Sequence, residues 1–194
     1  MSGEPAAFMS YVLFDDQHDD GQLTQFRERL STEVRAQTGE KFAIFQDRND
    51  FAWEQKWQQR IHEASEAVTL LVVIITPSLF RSSACRADVQ RFLKWEHDLG
   101  RQDLILPVYY VSTPELDNPG SCDADDLTRV VASRQLADWR ELRFEPFTSP
   151  VVRRTLAQLA TRMRDTLSRQ PADAPPVPRT PDIGRRIMQG RGGF

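Results

Sequence analysis

The chain has 194 residues, 40% of them hydrophobic and 27% charged, with a net charge of -3 and a pI near 5.7. That length suits one well-filled domain and a tail rather than two domains, and the acidic balance gives no reason to expect nucleic acid. The longest apolar run, Val68 to Ile75, is far below the roughly 20 residues of a spanning helix, and no basic-then-apolar leader opens the sequence, so a cytoplasmic protein free of the membrane is expected.

In chain order, Ala7 to Leu13 (A-F-M-S-Y-V-L) reads as a first strand, ended by the acidic run D-D-Q-H-D-D-G. Leu23, Phe26, Leu30 and Val34 recur at helical spacing, and Gly39 stops that helix. Lys41 to Gln46 is the second strand, Asp47 to Phe51 a polar loop, and Trp53, Trp57, Ile61, Ala64 and Val68 mark the apolar face of a second helix. Val68 to Ile75 is apolar on both faces, as expected of a strand in the middle of a parallel sheet, and Thr76 and Pro77 close it. Ser82 or Ser83 caps the next helix, which ends near Gly100. Leu104 to Val111 is the fourth strand, with Pro107 suggesting an edge or a bulge. After a turn-rich stretch from Thr113 to Asp126, a short helix and a short fifth strand are expected between Val130 and Leu142. Ser149 and Pro150 then start a last helix carrying Val152, Leu156, Leu159, Met163 and Leu167.

This alternation predicts an α/β fold, a flavodoxin-like, doubly wound parallel five-stranded sheet with helices on both faces. The domain is expected to span residues 1–169. Residues 170–194, rich in Pro, Gly and Arg, read as a disordered tail or linker. Ligands of such folds collect beyond the carboxyl ends of the strands, here Asp15 and Asp16, Asp47 to Asp50, and Thr76 to Phe80 leading into the helix of Asp88.

Two cysteines, Cys85 and Cys122, and three scattered histidines, His18, His62 and His97, have no metal-ligand spacing, so no metal is expected. No G-x-G-x-x-G follows the first strand and no G-x-x-x-x-G-K-[ST] occurs, which speaks against the usual dinucleotide fold and a nucleotide triphosphatase. In S-S-A-C-R-A-D-V-Q-R-F, Asp88 lies on or beside the stripe made by Cys85, Val89 and Phe92, where a charge is costly unless it is paired or used. A carboxylate there, with the aromatic Phe45 at the end of a neighbouring strand, suits glycosidic cleavage through a cation-like sugar transition state. A partner for Arg86 or Arg91, or a plain helix-start acid, is the competing reading.

F-M-S-Y (Phe8 to Tyr11), F-A-I-F-Q-D-R-N-D-F and I-I-T-P-S-L-F-R-S-S-A-C-R-A-D-V-Q-R-F resemble, in order and at family spacing, three boxes of Toll/interleukin-receptor (TIR) domains of the bacterial style, over about residues 6–168. Many bacterial and plant members of that family hydrolyse NAD to nicotinamide and ADP-ribose or a cyclic isomer, with a glutamate three residues after the helix cysteine. The resemblance implies Asp88 as the catalytic carboxylate, NAD as substrate and no resident cofactor. By the same resemblance Ser10, Tyr11, Phe45 and Asp47 bind substrate, and a loop with Arg48, Asn49, Asp50, Trp53 and Trp57 packs against a neighbouring subunit, so that a homo-oligomer or filament forms. Aspartate is one methylene shorter than the family's glutamate, and its carboxylate falls back by about 1–1.5 Å, a misplacement that can cost on the order of a hundredfold in rate. The alternative is accordingly a non-catalytic module that recruits TIR domains. A phosphoacceptor receiver, suggested by Asp15, Asp16, Asp47 and Thr76, lacks the lysine such domains place at the end of a late strand, where Val108 to Ser112 offers none.

Overall fold

Residues 6–45, 69–118 and 125–169 are described by the structure, a computed structural model of the chain. The helix expected from Trp53 to Val68, Cys122 and the segment 170–194 lie outside them.

A fully buried strand sits at the centre. All seven residues of β3 (Thr69–Ile75) are buried, as a run apolar on both faces requires. It lies between β1 (Ala6–Ser10) and β4 (Ile105–Tyr109); β2 (Ala43–Phe45) flanks β1, and the two-residue β5 (Ala137–Asp138) flanks β4. The order β2-β1-β3-β4-β5 with every pairing parallel is the expected doubly wound sheet of five strands. Pro107 lies inside β4, where it pairs with Val73. The ladder to β5 reaches only Val108 and Tyr109, so the proline interrupts no bond on that side.

The chain leaves β1 toward one side of the sheet and β3 toward the other. Right-handed crossovers therefore put α2 (Gln22–Thr38) and α4 (Ser83–Leu99) on opposite faces. On the α2 face, Leu23, Phe26, Leu30 and Val34 form the buried stripe read from their spacing, and Phe26 meets the fully buried Trp139 edge-on at 4.8 Å. The last helix, α7 (Pro150–Ser168), packs beside α2 on this face through Val152, Leu156, Leu159 and Met163. Gly39 and Gly100 end α2 and α4 in the left-handed conformation, at φ 75° and 64°, as expected of C-terminal glycines.

Short elements depart from the sequence reading. The first strand stops at Ser10, and Leu13–His18 forms helix α1 where a strand end and an acidic loop were expected. Asp15 and Asp16 fall in its first turn, where the helix dipole favours negative charge. Pro77–Arg81 forms a one-turn helix, α3, with Thr76 as N-cap and Pro77 in the first turn. The turn-rich stretch holds α5 (Pro114–Asp117), and α6 (Asp126–Ala132) starts before the helix expected near Val130. A 3-10 turn, Leu142–Phe144, leads toward α7.

The amino-end pole of the sheet is closed by ionic contacts. Arg101, 4% exposed, donates to both oxygens of Asp103 at 2.8 and 3.0 Å and to the carbonyls of Thr166 and Arg169, fixing the end of α7. Glu96, also buried, accepts from the Leu104 amide and from Arg134; burial pushes its carboxyl above the ordinary range, although Arg134 and the amide pull the other way.

Candidate functional site

Asp88 reaches the carboxyl-end rim because of how α4 starts. The Ser82 hydroxyl caps the helix by accepting from the Cys85 amide at 3.2 Å, and Cys85, Val89 and Phe92 then turn inward. Asp88 stands at the edge of that stripe and is half-buried. Its Oδ2 accepts a hydrogen bond of 2.7 Å from the Ser10 hydroxyl, which lies at the carboxyl end of β1 and is 0% exposed. The charge on the core-facing helix is thus not turned to bulk water, and Arg86, one of the partners the competing reading allowed, is engaged elsewhere. Arg86 instead donates to Asp125 at 2.7 Å and to the Phe80 carbonyl at 2.9 Å.

Phe45 joins this face by register. It pairs with Phe8, two residues before Ser10 on β1, and side chains two apart on a strand share a face. Phe45 therefore lies on the Ser10 and Asp88 side of the sheet, with its backbone about 8 Å from that of Ser10 by strand spacing. Phe45 is 39% exposed, unlike its neighbour Phe8 in β1. Tyr11, just past the strand, is buried. Asp47, Arg48, Asn49, Asp50, Trp53 and Trp57 lie outside the described residues.

Several contacts hold the rim that no sequence pattern indicates. Asp15 of α1 accepts from Thr76 at 2.7 Å and from Ser78 at 2.9 Å, tying α1 to the start of α3. Thr76 also receives the Leu79 amide. Because α3 runs through Ser82 directly into α4, Asp15 helps set where the Asp88 helix begins. The Arg86 bond holds Asp125, at the start of α6, below the usual carboxylate range, and Asp125 in turn raises Arg86. Tyr110 donates to Asp19, and burial followed by that bond pushes its phenol well above the ordinary value. Arg140 lies 4.4 Å over the Tyr109 ring and pairs with Asp138. The Thr76-Pro77 pair is a readable helix start, but the 61-residue gap from Asp15 to Thr76 is not readable without the fold.

Two cavities of the described surface lie elsewhere. One of about 630 Å³ runs between α2 and α7, bordered by Arg29, Phe147, Arg153 and Arg154, and another of about 260 Å³ sits at the amino-end pole beside Asp103, Arg134 and Arg162. Neither touches Ser10, Phe45 or Asp88. The rim is chosen on chemistry, since it combines a carboxylate of the core-facing helix, a buried donor and an accessible aromatic at the carboxyl ends of the strands.

The described geometry is that of a doubly wound domain with a carboxylate at its rim. A family model described as TIR domain matches residues 17–148, about two thirds of the chain. The chain belongs to the TIR domain family, whose members serve signal transduction and engage one another through TIR–TIR contacts. No curated protein matches it. The match begins after β1 and stops short of α7, both of which belong to the fold described above. Among the described residues no helix is long and apolar enough to cross a membrane.

Proposed function

We propose that this domain hydrolyses the nicotinamide–ribose bond of NAD, with Asp88 as the carboxylate that stabilises the sugar as it becomes cation-like. The C1′–N bond breaks, nicotinamide leaves as a neutral base with the electron pair, water adds at C1′, and one proton is released to solvent. The products are nicotinamide and ADP-ribose; attack by an adenine nitrogen in place of water gives the cyclic isomer. NAD is the substrate, not a resident cofactor. Phe45 offers its accessible ring to the flat leaving group, and Tyr11 and Asp47 complete the pocket. The loop from Arg48 to Trp57 packs on a second copy, so activity rises with self-assembly.

One observation carries this reading: the Asp88 carboxylate, on the rim where doubly wound folds bind ligands, is oriented by a buried hydroxyl at 2.7 Å. The test is nicotinamide release from NAD, read by chromatography at high protein concentration, for the wild type, Asp88→Ala and Asp88→Glu. The wild type is expected to turn over, Asp88→Ala to lose at least a hundredfold in rate, and Asp88→Glu to retain activity. Wild-type activity that survives Asp88→Ala rejects the site.

A second reading, a TIR module that recruits other TIR domains without catalysis, is favoured by the shorter side chain of Asp88. A silent wild type beside an active Asp88→Glu establishes it.

A further inference from the structure

We infer that Ser10 is a positioning residue matched to aspartate, which acts on the reaction only through Asp88 and does not bind substrate. The inference rests on the glycohydrolase reading of the same site and changes the role that the family resemblance assigns to this serine.

Two observations separate Ser10 from a pocket-lining residue. Its side chain is 0% exposed, so it offers no surface to a ligand. Its one hydroxyl proton is given to Asp88 Oδ2 at 2.7 Å. A short bond from a neutral donor to a carboxylate is charge-assisted and directional, and it restricts both torsions of the Asp88 side chain. Ser10 itself has little freedom, because its strand is laddered on the fully buried β3, with Ser10 opposite Val73. The carboxylate of Asp88 is thereby referenced to the buried sheet as well as to helix α4.

The side-chain length at position 88 gives the pairing its meaning. Aspartate carries its carboxylate to the depth of the Ser10 hydroxyl. A glutamate at the same backbone position would carry it farther out by about 1–1.5 Å, away from that donor. Ser10 therefore supplies orientation that the shorter acid needs to hold one approach to the sugar, and that a longer acid would have to find elsewhere.

The experiment is a set of double-mutant cycles read in two ways on the full chain. Ser10→Ala is combined with wild type, Asp88→Ala and Asp88→Glu, and each protein is measured for its urea unfolding midpoint and for NAD turnover. Pairing predicts that Ser10→Ala lowers the midpoint more with Asp88 present than in Asp88→Ala. Positioning predicts that Ser10→Ala lowers kcat by about 10- to 100-fold with KM nearly unchanged. It further predicts that Ser10→Cys, similar in size but a weak donor, fails to restore the rate, and that Ser10→Ala has a smaller effect on rate in the Asp88→Glu background.

Equal midpoint shifts in the wild-type and Asp88→Ala backgrounds overturn the pairing. A rise in KM with kcat unchanged overturns the positioning role, since it means that the hydroxyl meets substrate. A wild type silent toward NAD, with the midpoint coupling intact, rejects the glycohydrolase reading while the pairing stands, so the two failures are told apart.

Discussion

Ser10 and Asp88 are 78 residues apart, and their meeting depends on β1 lying beside β3 while α4 folds back over that pair. Asp88 could be singled out from its place beside Cys85, Val89 and Phe92, because helical spacing is local. Its partner could not, because nothing in F-M-S-Y says which helix will cover the serine. Arg86 shows the same limit. By spacing it was a candidate for Asp88, yet it pairs with Asp125, brought close by the sheet order. At this scale the Arg101–Asp103 pair yields a pH prediction. Burial alone would raise Asp103, but the bonds and charge of Arg101 outweigh it and hold the carboxyl below its ordinary value of 3.8. The folded-state pKa is thus depressed, so the stabilisation is fully present above the unfolded value and drains away as pH falls through the folded one. Asp103→Asn, which leaves the buried Arg101 with weaker partners, is expected to lose roughly 2 kcal/mol at pH 7. Urea unfolding at a series of pH values checks this: the gap from wild type should close well below pH 3.8, and a gap that stays constant refutes it.

Long helices and the strands were legible, the short fifth strand included, and the shortest helices were not. α2, α4 and α7 each repeat an apolar stripe often enough to reveal their period, and β3 reveals itself by being apolar on both faces. α1, α3 and α5 have six, five and four residues, too few for a period to appear. Their placement depends on caps and long-range bonds, above all on Asp15 receiving Thr76 and Ser78. Asp15→Ala removes the acceptor of both hydroxyls and is expected to destabilise the protein by about 1–3 kcal/mol. Because α3 leads into α4, hydrogen exchange should also quicken at residues 79–86, and an effect confined to α1 would show that the two helices are not coupled. Trp139 tests the opposite face: Trp139→Ala, opposite Phe26 in the fully buried core, is expected to cost about 3–5 kcal/mol, read as a lower midpoint in urea.

For the whole molecule, the strand order follows from alternating elements and the handedness of their crossovers, which is why fold class was readable before any coordinates. The candidate site was readable only in part. Phe45 and Asp88 each sit where a local pattern puts them, but their shared face is a property of register, and Asp47 to Trp57 lie outside the described residues. α7 belongs to the fold although the family match ends before it: it packs along α2, and Arg101 holds its last carbonyls. A chain ending at Arg169 is therefore expected to keep the unfolding free energy of the full chain within about 0.5 kcal/mol, whereas one ending before α7, at Ser149, should fail to fold, as far-ultraviolet circular dichroism would show.

That Arg101 anchor also decides orientation in space. α7, roughly 28 Å long over its 19 residues, finishes at the amino-end pole of the sheet, opposite the rim that carries Asp88. Arg169 therefore stands at the pole facing away from the candidate rim. A chain ended at Arg169 and captured on a sensor chip through a tag placed there would leave that rim open to the flowing solution.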